Sequence, residues 1–165
     1  MNAMQRGWMQ RRALVILTLT VGVLRLAAGL QAADHPNFTG NWQVDPKTSD
    51  FGPMGPPDKA IMNVTHKDPD VTIHSELVMG GNPRIWDVAC KTDGKECKTT
   101  NGEATMSLTW QGDTLILNRA LSFNGMAVKI KETWSLSADG KTLTSARTVE
   151  TDQGNADQKI IFTKP

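Results

Sequence analysis

Turn chemistry recurs roughly every ten residues along this chain, and that rhythm limits its fold more than any other feature. The signals are Asp68-Pro69-Asp70, Gly80-Gly81-Asn82-Pro83, Asp93-Gly94, Asn101-Gly102, Gly112-Asp113, Asn124-Gly125, Asp139-Gly140 and Gln153-Gly154-Asn155. Between them lie segments of alternating polarity, the pattern of half-buried strands in an antiparallel meander. The pattern predicts ten strands, over 38–44, 61–66, 71–79, 84–91, 95–100, 104–111, 114–123, 126–137, 141–150 and 156–164. No segment has a helical period. The stretch 45–57 carries Pro46, Gly52, Pro53, Gly55, Pro56 and Pro57, a density that neither a helix nor a central strand tolerates, so it reads as an ordered loop or lid.

The Asn124-Gly125 turn tests the register, because Asn-Gly favours a two-residue loop that fixes the pairing. It sets Phe123 opposite Met126, Leu121 opposite Val128, Arg119 opposite Ile130, Leu117 opposite Glu132 and Leu115 opposite Trp134. A two-residue loop at Gly112-Asp113 adds Trp110 opposite Leu115, Leu108 opposite Leu117 and Met106 opposite Arg119. One face of these three strands is almost wholly apolar. The other carries Thr105, Ser107, Thr109, Asn118, Ser122, Lys129, Lys131, Thr133 and Ser135, as a solvated surface does.

A sheet this long, apolar on one face and without helices to cover it, has to fold onto itself or close. Consecutive hairpins favour an all-β, antiparallel up-and-down barrel of about 8–10 strands over a two-sheet sandwich, and closure removes exposed edges.

Residues 1–32 read as a signal peptide. Arg6, Arg11 and Arg12 precede an apolar run over 13–24, and Leu30-Gln31-Ala32 offers a small-residue cleavage site. The run is too short to span a membrane, which takes about 20 apolar residues. The residues around Arg11-Arg12 do not fit a twin-arginine signal, so general secretion to the periplasm or the extracellular space is expected, with no membrane span after cleavage. The segment holds four of the 18 basic residues and none of the 17 acidic ones, so the mature domain, 33–165, carries 14 minus 17, a net charge of −3. That balance leaves no basic stripe for nucleic acid.

Phe38-Thr39-Gly40-Asn41-Trp42 contains a Gly-x-Trp near the start of the mature domain. It resembles the opening strand of the lipocalin and fatty-acid-binding-protein group, calycin-type barrels around a cavity for a small apolar ligand. Lys47-Thr48-Ser49-Asp50-Phe51 and Asp139-Gly140-Lys141-Thr142-Leu143 extend the resemblance to small secreted bacterial lipocalin-like proteins. The resemblance implies that Trp42 closes one barrel end against an arginine from a late strand, with Arg147 in that position. The chain departs from the group in lacking a Thr-Asp-Tyr motif and in having the Pro-rich segment where fatty-acid-binding proteins have a helical lid.

Arg119 and Glu132 are the residues of most interest for function. The register puts both on the apolar face, where an unpaired charge is costly, and they are diagonal neighbours within reach of each other. They read either as a charged anchor for a ligand anion or as an ion pair that only fixes register. Arg147 joins them if Asp139-Gly140 is a two-residue loop, and points outward if a glycine bulge shifts the parity. Trp42, Trp86, Trp110 and Trp134 share the inward parity, and Trp110 and Trp134 are the candidates for a ligand-facing aromatic wall. Cys90 and Cys97 fall opposite each other across Asp93-Gly94 and are expected to form a disulfide. His66 and His74 are expected on opposite faces and His35 in a flexible terminus, so no metal site is expected. Neither a nucleophilic triad nor a paired-carboxylate arrangement is present, so the sequence offers no argument for an enzyme and implies no cofactor. The function expected is binding of a small, mainly apolar, acidic or amphiphilic ligand. The alternative is a barrel with a packed interior, acting through its surface as an interaction or envelope-stress module.

Overall fold

The computed structural model describes residues 35–165 apart from Asn124. The signal-peptide expectation for 1–32, and the asparagine of the Asn124-Gly125 turn, lie outside the described residues. Ten strands form one antiparallel sheet: β1 (Gly40–Val44), β2 (Lys59–Lys67), β3 (Asp70–Met79), β4 (Asn82–Lys91), β5 (Asp93–Lys98), β6 (Ala104–Gln111), β7 (Thr114–Phe123), β8 (Met126–Leu136), β9 (Thr142–Thr151) and β10 (Gly154–Thr163). Their order is β4-β3-β2-β1-β10-β9-β8-β7-β6-β5, so the first strand pairs with the last and the sheet curls into an up-and-down barrel. Each expected strand is present, with ends displaced by two residues at most. No helix among the described residues is long and apolar enough to cross a membrane.

The sheet's two ends meet between β4 and β5, where the ladder shrinks to an isolated bridge, Val88 to Thr99. The Cys90–Cys97 disulfide crosses the same seam, with a Cα–Cα separation of 5.6 Å. Asn82 and Pro83 open β4, although the turn was expected to include them; the loop is Gly80-Gly81, with φ of 56° and 74°, as a tight hairpin requires. A proline is tolerated there because β4 is a seam strand.

The expected registers around β7 hold, whereas the expected Asp93-Gly94 turn does not form, because both residues lie in β5, which pairs with β6 and not with β4. Leu115 faces Trp134, Leu117 faces Glu132 and Arg119 faces Ile130 across β7 and β8, while Met106 faces Arg119 across β6 and β7. Between β8 and β9 the turn is longer than two residues, yet Leu136 faces Leu143 and Glu132 faces Arg147, so parity is that of the tight loop. Trp42, Met62, Val64, Val71, Ile73, Leu108, Leu115, Leu117, Trp134 and Leu143 form the core that fills one end of the barrel.

β1 is half the length of β10, and the segment after it takes over its partner. Asp45 N–H donates to Ile161 O at 2.8 Å, and Asp50 exchanges two backbone hydrogen bonds with Lys159, of 2.8 and 2.9 Å. The chain then leaves β10 at Gly52, whose φ of 57° and close approach to Asp157 O would strain a larger residue. A one-turn 3-10 helix follows at Gly52–Met54, a short exception to the expectation of no helix, with Pro53 tolerated in its first turn.

Candidate ligand cavity

Inward parity on four successive strands delivers one polar cluster into the upper barrel. β7 supplies Arg119, β8 supplies Glu132, β9 supplies Ser145 and Arg147, and β10 supplies Gln158. Arg119 Nη2 lies 3.9 Å from Glu132 Oε2. The other carboxylate oxygen, Oε1, accepts hydrogen bonds from Trp134 Nε1 and Ser145 Oγ, both at 2.5 Å. Arg147 Nε donates to Gln158 Oε1 at 2.7 Å, and Gln158 Nε2 donates to Phe51 O at 2.7 Å. Trp134, Glu132, Ser145 and Gln158 are all buried.

Burial alone would push the Glu132 carboxyl up, but Arg119 first, then Arg147, then the Ser145 and Trp134 hydrogen bonds outweigh it and hold it below the usual range. Burial also lowers Arg147, Glu132 opposes that and Arg119 adds to it; the net shift is downward, and an arginine still stays charged at neutral pH. Two guanidinium groups therefore face one carboxylate. Arg119 Nε is buried and makes no hydrogen bond.

Beside this cluster is a cavity of about 600 Å³. Arg119, Glu132, Trp134, Arg147 and Gln158 line it together with an apolar wall that includes Leu77, Trp86, Leu121, Val128, Val149 and Ile160. Phe51, Met54, Gly55 and Pro57 of the Pro-rich segment cover the mouth. The interior is therefore hollow, and the alternative of a filled barrel does not hold. A second hollow, of about 480 Å³, lies on the outer face among Glu96, Thr105, Ser107, Asn118, Lys129 and Lys131, and belongs to the solvated surface.

Trp110 does not line the cavity. It sits at the opposite end, stacked on His35 with ring centroids 4.1 Å apart, and its Nε1 donates to Asp68 Oδ1 at 2.8 Å. His35 is thus held against the barrel rather than left loose. His66 is buried beside it, accepting from Phe38 N–H through Nδ1 at 3.3 Å, while His74 bonds Asp87 at 2.6 Å on the outer face. The cation over the Trp42 ring is Lys164, 4.7 Å from its centroid, so the late-strand arginine that the resemblance implied is replaced by a lysine near the chain end. Arg147 is free of that task and serves the interior cluster.

Ser145 and Gln158 are members of the cluster that the sequence did not single out. Alternation carries the signal for both: Ser145 shares its parity with Leu143 and Arg147, and Gln158 shares its own with Ile160 and Phe162.

No protein-family model and no curated protein matches the sequence. Among solved structures, the chain is similar to the zebrafish ileal bile acid-binding protein, determined in complex with cholic acid, at 21% sequence identity and a TM-score of 0.52. The match covers 78% of this chain and 98% of that one. In fold, this chain is a ten-stranded, lipocalin-like up-and-down barrel.

Proposed function

We propose that this protein is an exported carrier that holds a small, mainly apolar molecule by an acidic head group. The observation that carries the reading is the roughly 600 Å³ cavity with Arg119 and Arg147 set against a single Glu132. Its volume is in the range of small-molecule sites, and its lining has their usual character, an apolar wall with a few convergent polar groups. The inner cluster carries one positive charge in excess, which a monoanionic head group would neutralise through the paired donors that arginine presents to carboxylates. The similar bile acid-binding protein was solved in complex with cholic acid, which agrees with this reading. Export is supported by the basic and apolar pattern of residues 1–32 and by the disulfide, which belongs to oxidising compartments.

Titration with laurate and with lauryl alcohol tests the head-group assignment. Laurate is expected to bind more tightly, on the order of tenfold or more, as a charge-assisted contact requires. The Arg119→Met/Arg147→Met double variant is expected to lose that preference while still taking the alcohol. Equal affinities for the two probes in the unmodified protein would sink the acidic-ligand reading. Native mass spectrometry of the protein from a periplasmic extract would reveal a retained molecule, and a chain beginning near Ala33 would establish export.

A further inference from the structure

One side chain connects the buried charges to the strap across the mouth. Gln158 is 5% exposed, and both ends of its amide are engaged, Oε1 by Arg147 and Nε2 by the Phe51 carbonyl. Arginine Nε can only donate and a carbonyl can only accept, so the two partners together select one orientation of the amide. Phe51 is also where the strap parts from β10. Upstream, Asp45, Ser49 and Asp50 are tied to Ile161 and Lys159. Downstream, among the described residues, no backbone hydrogen bond joins the strap to the barrel until Asp58 N–H reaches Val78 O at 2.9 Å. The intervening segment contains Met54, 56% exposed, and its Phe51, Met54, Gly55 and Pro57 form part of the cavity wall.

We propose that Gln158 is a positioning residue that couples occupation of the cavity to closure of this strap. A head group taken by the terminal nitrogens of Arg147 leaves its Nε bonded to Gln158. Holding that guanidinium fixes the amide, and the fixed amide pins Phe51 over the apolar part of the ligand. The bound half of this coupling rests on the acidic-ligand reading, whereas the ligand-free half stands on the hydrogen bonds alone.

Hydrogen exchange of the strap amides separates the two. In ligand-free protein, Arg147→Met and Gln158→Leu should each speed exchange at Gly52, Met54 and Gly55 by about tenfold, the scale of one net hydrogen bond. Gln158→Glu keeps the acceptor for Arg147 but has no donor for Phe51, so it should speed exchange as Gln158→Leu does. Arg119→Met faces the same cavity without touching Gln158 and should leave the strap unchanged. Unchanged exchange in Arg147→Met, or an equal rise in Arg119→Met, overturns the relay. With laurate bound, strap exchange should slow in the unmodified protein and not in Gln158→Leu, while lauryl alcohol should slow neither. Laurate that binds without slowing the strap overturns the coupling and leaves the cavity reading intact. Laurate that fails to bind removes the cavity reading and the bound half with it, and the ligand-free comparison still decides whether Gln158 latches the strap.

Discussion

Glu132 shows how a charge survives inside an apolar barrel: every one of its competing effects is local and can be removed singly. Its carboxyl is depressed in the folded chain, so its contribution to stability is complete above the ordinary value of 4.5 and is lost as pH falls through the lower folded value. Glu132→Gln is therefore expected to destabilise the protein near neutral pH by about 2 kcal/mol and to converge with the unmodified protein in acid. Urea unfolding at a series of pH values checks this, and parallel profiles would mean that folding leaves the titration of this carboxyl unshifted. Arg119 and Glu132 also differ in what their loss strands. Without Arg119 the carboxylate keeps Arg147, Ser145 and Trp134, so Arg119→Met should cost only about 1 kcal/mol. Without Glu132 two guanidinium groups are left facing each other, and Glu132→Leu should cost about 3 kcal/mol or more, as breaking a buried pair does. The reverse order in chemical denaturation would show that Arg119, not Glu132, anchors the cluster.

At the level of strands and turns, the hairpin registers were legible because Asn-Gly and Gly-Asp loops fix pairing and a slip of one residue would turn Leu115, Leu117 and Trp134 to the solvent. Arg119, Glu132 and Arg147 were legible for the same reason, as charges on an apolar parity. Gln158 was not, because an uncharged amide on a strand looks the same whether it faces water or a buried arginine. Trp110 misled because inward parity says nothing about height along the barrel, and height decides whether a ring faces the cavity or the packed end. Lys164 was hidden for another reason: its contact with Trp42 depends on how the first and last strands meet, which no local pattern encodes. The seam between β4 and β5 was legible only as two opposed cysteines. Because a single bridge and the Cys90–Cys97 bond hold it, the Cys90→Ala/Cys97→Ala variant should lose about 2.5 kcal/mol, the chain-entropy value for so short a loop. Its hydrogen exchange should rise in β4 and β5 while β7 and β8 stay protected, and a uniform rise would mean that the seam is not the weak line. Thiol titration of the unreduced, unmodified protein should find no reactive cysteine.

For the molecule as a whole, a cavity of this size is surface that the fold leaves unfilled, and a ligand that fills it must stabilise the native state by mass action. At laurate concentrations about a hundredfold above its dissociation constant the gain should be about 2.7 kcal/mol, seen as a raised melting temperature in calorimetry. The Arg119→Met/Arg147→Met variant, binding laurate about tenfold more weakly, should gain only about 1.4 kcal/mol at the same concentration. If laurate raises both melting temperatures equally, it binds somewhere other than the charged cluster. The topology also imposes an order on assembly. β1 lies between β2 and β10, with Gln43 opposite Thr163 and Val44 opposite Phe162. A nascent polypeptide has made its first strand long before it has made that strand's second neighbour, so the ring stays open until β10 has been made. The closing event waits on β10, and a product that stops after β9 has bare margins at β1 and β9 that invite pairing with other chains. A clipped copy of this protein is therefore a curved, adhesive sheet rather than a smaller vessel.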